Sequence, residues 1–120
     1  MDKAALGKKG EAIAAKYYIE RGYRLLAHNY RCRLGELDLI LLKGELLVVA
    51  EVKTRSPGSL ARPAEAVDMA KRQRIINAVK HYTVTEMKKE YTTRFDVVEV
   101  VPLPQGGYQV HHIPDAFSCV

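Results

Sequence analysis

Three charged residues lie within two apolar stretches that a short turn connects. The segment GELDLILLKGELLVVAEVKTR, residues 35–55, carries Asp38, Glu51 and Lys53 among leucines, isoleucines and valines. Because a buried carboxylate without a partner is costly, such residues need a physical reason to be there. Two carboxylates and a lysine are a set that can hold a divalent cation and act on a phosphate ester.

The spacing of these residues predicts that they meet. Side chains alternate across a strand, so Glu51 and Lys53 point to the same face. A two-residue loop of Gly44 and Glu45 sets Asp38 directly opposite Glu51, and a loop shifted by one residue still leaves all three charges on one face. A three-residue loop or a bulge would break this alignment.

Opposed carboxylates at this position favour a metal site. Directly opposed Cβ atoms lie about 4.5–5.5 Å apart, and two negative charges at ~5 Å repel by roughly 3 kcal/mol at an effective dielectric of 20. A divalent ion converts that repulsion into binding, and oxygen ligands suit Mg²⁺ or Mn²⁺. Lys53 could then orient a metal-bound water or offset charge in the transition state.

A structural interpretation of the same residues stays open. Glu51 and Lys53 could form an ordinary ion pair on a solvated strand face, and Asp38 could pair with a nearby arginine. The spacing alone does not separate this interpretation from the catalytic one.

The elements that must position these residues follow from the hydrophobic pattern and the turn signals. Their order is helix, strands, helix, strands, which predicts an α/β domain with a mixed sheet. The predicted helices run from about Ala4 to Arg21 and from Pro63 to Tyr82, with a loop over residues 56–62, and the predicted strands are about 23–30, 36–42, 46–54, 93–101 and 108–112.

Composition limits the class of protein. A chain of 120 residues with 48% hydrophobic and 28% charged residues fits one globular domain. No apolar run approaches the ~20 residues of a membrane span, and the N-terminus shows no clear signal-peptide pattern, so we expect no membrane contact and a cytoplasmic location. A net charge of +5 is weak support for a polyanionic partner.

The motifs together resemble a known nuclease superfamily. A helix bearing Glu11, then ELD ending at Asp38, then EVK at residues 51–53, then a basic helix, is similar to the PD-(D/E)XK core of restriction endonucleases and archaeal Holliday-junction resolvases. More closely, NYRCRLGELDLI, VVAEVKTRS, AEAVDMAKRQRI and RFDVVEV resemble the YraN family of small bacterial predicted endonucleases. The match runs from Gly7 to about Pro114, which would make the chain one nuclease-like domain with a short C-terminal tail.

This resemblance implies a fold and roles for particular residues. The fold would be a restriction endonuclease-like three-layer core. Asp38 and Glu51 would bind Mg²⁺ or Mn²⁺, Lys53 would be the catalytic lysine, and Glu11 would complete the metal site from its helix. Leu37 stands where the namesake motif has proline, which leaves the carboxylate chemistry intact.

The expected partner is nucleic acid, most simply DNA. Phosphate contacts from basic side chains give affinity without sequence specificity, so a structure-selective endonuclease fits better than a sequence-specific one. One alternative is a nucleic-acid-binding module that cleaves little, and another is a purely structural protein. Resolvases act as dimers, which leaves a homodimer open. The predicted contact residues are Arg31, Arg33, Arg55, Lys71, Arg72 and Arg74, with Gln73 as a polar residue that supports the site.

Overall fold

The structure, a computed structural model, describes residues 3–55 and 67–118. The predicted loop over residues 56–62 and the predicted helix start at Pro63 lie outside the described residues. The helices are α1 (Lys3–Glu20) and α2 (Met69–Tyr82), which continues into a π-helical turn (Thr83–Met87), and the strands are β1 (Arg24–Cys32), β2 (Gly35–Lys43), β3 (Leu46–Thr54), β4 (Thr92–Pro102) and β5 (Tyr108–Phe117).

The five strands form one mixed sheet in the order β1-β2-β3-β4-β5. Neighbours are antiparallel except for β3 and β4, which are parallel and are joined by the connection that contains α2. Buried residues of α1 pack on one face of the sheet, and buried residues of α2 pack on the other. The predicted α/β fold with a mixed sheet between helices is therefore confirmed, and it is compatible with a three-layer restriction endonuclease-like core.

Two element boundaries differ from the prediction. Helix α2 begins at Met69, because Asp68 has an extended backbone and its carboxylate accepts the N–H of Lys71 at 2.8 Å, which caps the helix. Strand β5 extends to Phe117, whose ring stacks on Phe95 with centroids 5.0 Å apart. The sheet thus continues past the predicted end of the core near residue 114.

The hairpin between β2 and β3 has the first of the two predicted registers. Lys43 pairs with Leu46, so the loop consists of Gly44 and Glu45 alone. Gly44 has φ +59°, the left-handed conformation that tight two-residue hairpin turns require. This register determines where the charged residues further along both strands lie.

A buried cluster of hydrogen-bonded polar side chains connects α1 to β4 and β5. The Asp96 carboxylate is fully buried, and it accepts hydrogen bonds from Tyr18 Oη at 2.8 Å and from the Arg94 guanidinium at 2.8 Å on each oxygen. His112 Nε2 lies 2.7 Å from the same carboxylate. These partners hold the pKa of Asp96 below its usual range against the effect of burial.

The middle of α1 approaches β3 closely at Gly10. Gly10 is buried, and a Cβ atom built there would overlap the Thr54 hydroxyl. The small residue therefore lets the helix lie directly against the end of β3. Glu11, the next residue, is brought to the edge of the sheet beside the charged strand ends.

We predict that Gly10→Ala destabilises the fold by about 1–3 kcal/mol, because the added methyl group must push α1 away from Thr54. Gly7→Ala is the matched control: it lies on the same helix with nothing within 4 Å of the new Cβ, and alanine there should stabilise the helix by about 0.5–1 kcal/mol. Urea denaturation of both variants is the measurement. Equal stabilities would show that the close contact does not constrain the helix.

Candidate functional site

Strands β2 and β3 separate at Asp38. The last backbone pair is Leu39 with Ala50. Beyond this pair, the Asp38 carboxylate accepts the N–H of Val52 at 2.8 Å. The side chain thus takes the place of a backbone carbonyl in the ladder. Asp38 consequently lies in the gap between the strands.

The alternation of β2 is interrupted at the same point. Leu37 packs in the core on the α2 side, whereas Leu39, two residues later, packs on the α1 side. Residues two apart in a regular strand share a face, so the backbone must change its course at Asp38. Asn29 on β1, which the register places opposite Asp38, has φ +50° and is missing from the ladder.

Glu51 is buried beside Asp38, with only 6% of its surface exposed. The two carboxyl groups are close enough for the charge of Asp38 to act on Glu51. Burial, and secondarily the charge of Asp38, raises the pKa of Glu51 to about 7, although the Lys71 ammonium opposes the shift. Burial also raises the pKa of Asp38, against the stabilising hydrogen bond from Val52.

Two lysines supply the positive charge at this pair. Lys71 Nζ, from the first turn of α2, lies 2.6 Å from Glu51 Oε1. Burial and the neighbouring Lys71 lower the pKa of Lys53, which is half-buried. Burial would also lower the pKa of Lys71, but the bond to Glu51 outweighs that effect and raises it.

Two clefts open onto the gap. The cleft on the α1 side is about 600 Å³ and is lined by Glu11, Asn29 and Lys53 among others. The cleft on the α2 side is about 570 Å³ and is lined by Glu51 and Lys71 among others. Asp38 and Arg31 line both clefts, so this end of the sheet is accessible from both faces.

Glu11 reaches the site from α1 but does not join the carboxylate pair as a close third ligand. Burial and the charge of Asp38 raise the pKa of Glu11, which shows that the two share one electrostatic environment. Within residues 3–55 and 67–118, however, no group of three acidic, histidine or cysteine side chains is arranged to hold one metal ion. The structure therefore brings together the two strand carboxylates, and Glu11 lines the α1-side cleft together with Asp38.

Three of the predicted nucleic-acid contacts are exposed around the site. Arg31, Arg33 and Arg74 are exposed and line the α2-side cleft. Arg31 lies 3.8 Å from Glu36, and both side chains are largely solvent-exposed, so this pair does not hold the guanidinium firmly. All three side chains are therefore exposed to solvent beside the α2-side cleft.

The structure places three other predicted contact residues outside the lining of the two clefts. Arg55 pairs with Glu99 at 3.3 Å and is mostly buried, so it does not rim the site. Arg72 donates to the Val67 carbonyl at 2.8 Å, and its guanidinium packs over the Phe117 ring, so these contacts stabilise the fold. Gln73 hydrogen-bonds Asn77 along the exposed surface of α2, and none of the three is among the described residues that line the two clefts.

Sequence reasoning missed two features of the site. The left-handed backbone of Asn29 was not predicted. Asparagine tolerates this conformation better than most residues, but the surrounding strand-like sequence gives no indication that it occurs here. Lys71 was predicted as a phosphate contact, whereas the structure pairs it with Glu51. A lysine in the first turn of a helix gives no indication of which way its long side chain extends.

Comparisons with known proteins assign the chain to a family. A family model described as "Uncharacterised protein family UPF0102" matches residues 10–100. The chain belongs to the UPF0102 family. This is the YraN family that the sequence motifs resemble, so the predicted family is confirmed.

UPF0102 relatives match along nearly their whole length. A UPF0102 protein from Caldanaerobacter subterraneus subsp. tengcongensis is 40% identical over 98% of both chains. One from Alkaliphilus metalliredigens is 41% identical over 94% of this chain and 97% of its own, and one from Syntrophus aciditrophicus is 43% identical over 93% and 87%. The UPF0102 match spans the gap at Asp38 and both lysines of the site.

Neither α-helix in the described part of the chain has the length and apolar character needed to cross a membrane.

We predict that the metal-free protein loses stability as the pH rises from about 5 to 8. The native state keeps a proton on Glu51 up to about pH 7, whereas the unfolded chain releases it near 4.5, so stability present below pH 4.5 is lost as the pH rises through 7. The loss is roughly 3 kcal/mol. Glu51→Gln should flatten this slope in urea titrations with EDTA, and Glu20→Gln, an exposed control, should not.

An unchanged slope in Glu51→Gln would contradict the assignment of the raised pKa to this carboxyl group. The pKa of Asp38 is shifted in the same direction, so a smaller slope of the same sign should remain in that variant.

Proposed function

We propose that this protein is a divalent-metal-dependent nuclease that hydrolyses phosphodiester bonds in DNA. One observation carries the proposal: the buried Glu51 and the partly buried Asp38 lie beside each other where β2 and β3 separate, with Lys53 near them. A fold has no structural need for two adjacent carboxylates in such a place, because burial raises the pKa of both and the charge of Asp38 raises that of Glu51 further. Perturbed groups of this kind in a cleft are typical of active sites.

The donor set fits Mg²⁺ or Mn²⁺. Mg²⁺ is usually held by one or two carboxylates and completes its shell with water and substrate phosphate oxygens. Asp38 and Glu51 would hold the ion, and the clefts on both sides leave room for its remaining ligands. When bound, the ion would polarise the phosphate and lower the pKa of a water molecule.

The side chains of this protein supply the rest of the chemistry. Lys53 has a lowered pKa, so a larger fraction of its amine is neutral, and able to accept a proton from the attacking water, than in an exposed lysine. The water oxygen bonds to phosphorus as the opposite P–O ester bond breaks, and the leaving oxygen takes that electron pair and a proton from solvent water. Glu11, across the α1-side cleft, can orient a water molecule on the Asp38 side.

Recognition of the DNA would rest on the phosphate backbone. Arg31, Arg33 and Arg74 surround the α2-side cleft, and the chain carries a net charge of +5. Such contacts do not distinguish base sequences. We therefore propose selection by DNA structure, such as single-stranded or branched regions, in preference to sequence.

A second candidate function is a nucleic-acid-binding module without cleavage. The ion pair between Lys71 and Glu51 favours it, because an ammonium group already neutralises one of the carboxylates. In that case the same arginines would bind DNA, and the carboxylate–lysine cluster would serve the fold.

We predict metal-dependent cleavage of one DNA structure in a gel panel of single-stranded, duplex, flapped and four-way substrates with Mg²⁺, Mn²⁺ or EDTA. Glu51→Gln and Lys53→Met should each reduce the rate at least about 100-fold, the range seen for lost acid–base groups. Glu20→Gln and Lys80→Met, exposed residues away from the gap, should cleave normally.

The possible outcomes separate the candidates. Band shifts without cleavage would replace the nuclease with the binding module. Cleavage that survives in both site variants would indicate a contaminating nuclease and would refute the assignment. The absence of both band shifts and cleavage on every substrate would rule out DNA of these structures as the partner.

A further inference from the structure

Lys71 makes the closest contact of any cation with the carboxylate pair in the described part of the chain. Its Nζ lies 2.6 Å from Glu51 Oε1, and the Glu51 side chain is only 7% exposed. The backbone of Lys71 is fixed, because its N–H bonds the capping Asp68 carboxylate at 2.8 Å. The side chain is still a third exposed, so the ammonium group can leave Glu51 without any movement of α2.

A count of charges shows what the ammonium group does there. When all four groups are ionised, Asp38 and Glu51 carry two negative charges, and Lys53 and Lys71 carry two positive charges. The cluster is then neutral without a metal ion. A divalent cation added to this cluster brings two uncompensated positive charges into a site of low exposure, which is unfavourable unless one ammonium group leaves or an anion arrives.

The surroundings favour the departure of Lys71 over that of Lys53. Lys71 opens onto the α2-side cleft of about 570 Å³, which Arg31, Arg33 and Arg74 also line. Arg74 is three residues further along α2 and therefore on a neighbouring part of the same helical face. An ammonium group released from Glu51 lies among the side chains proposed to contact phosphate.

We propose that Lys71 is an internal counter-cation, which a divalent metal ion displaces from Glu51 and thereby frees to contact a phosphate of the nucleic acid. The proposal rests on the nuclease site proposed above, and it adds that metal binding and DNA binding at this site are coupled. Metal binding and DNA binding would strengthen each other through this one side chain, because each favours the displaced position.

The first test is calorimetric titration of the full chain with Mg²⁺ and Ca²⁺ at pH 8.5, above the pKa of Glu51. Lys71→Met should bind the ion at least about tenfold more tightly, because the competing cation is gone. Lys71→Arg retains the positive charge and should bind no more tightly than the native chain. Lys80→Met, an exposed lysine on the same helix, should behave as the native chain does.

These outcomes distinguish the inference from the function on which it rests. If the native chain binds the ion and Lys71→Met binds it equally or more weakly, Lys71 is not a counter-cation, although the metal site stands. No binding by either chain overturns both. Binding by Lys71→Met alone supports the inference, since it shows that the ammonium group blocks the site.

The second test measures DNA binding against salt in Ca²⁺ and in EDTA. Freed Lys71 should add about one phosphate contact, so Lys71→Met should reduce the slope of log K against log salt by about 0.7–0.9 in Ca²⁺ and by nothing in EDTA. An equal reduction in both conditions, or no reduction in Ca²⁺, would overturn the coupling between metal and phosphate.

Discussion

The separation of β2 and β3 at Asp38 is the constraint on which the candidate site depends. While two strands remain paired, their backbone groups bond each other and no side chain can enter between them. Here the Asp38 carboxylate accepts the Val52 N–H, so the ladder ends without leaving that donor unsatisfied. The same carboxylate gains access to Glu51 and to both clefts. A local change in backbone pairing thus creates the space in which charges can meet.

The rest of the fold holds the helices against that gap. Asp96 fixes α1 through the hydroxyl of Tyr18, and Gly10 lets the helix lie against the end of β3. The Asp68 cap fixes the first turn of α2 on the opposite face. The protein therefore has one polar cluster in which hydrogen bonds hold the pKa of Asp96 low, and a second, at the gap, in which burial raises the pKa of both carboxyl groups. The opposite directions of these shifts separate the charges that stabilise the fold from the charges of the candidate site.

Most of the fold was predictable from the sequence, because hydrophobic patterning and turn residues act locally. The hairpin register followed from a two-residue loop, and it led correctly to Asp38 beside Glu51. The interruption of β2 could not be predicted, since it arises from the side-chain hydrogen bond of Asp38 and the left-handed backbone of Asn29. The directions of Arg55 and Arg72 also depend on partners that are distant in sequence or on packing.

The parallel pairing of β3 with β4 has a consequence for the order in which the protein folds. The β2–β3 hairpin closes through two residues, whereas β4 can join β3 only after the chain from Thr54 to Thr92 has been brought back across the sheet. Loop-closure entropy favours the hairpin first. Asp38 and Glu51 would then become neighbours before α2 packs on the sheet and brings Lys71 into contact with Glu51. Lys53, which belongs to the same hairpin, would be the first counter-ion of these carboxylates during folding, and Lys71 the second.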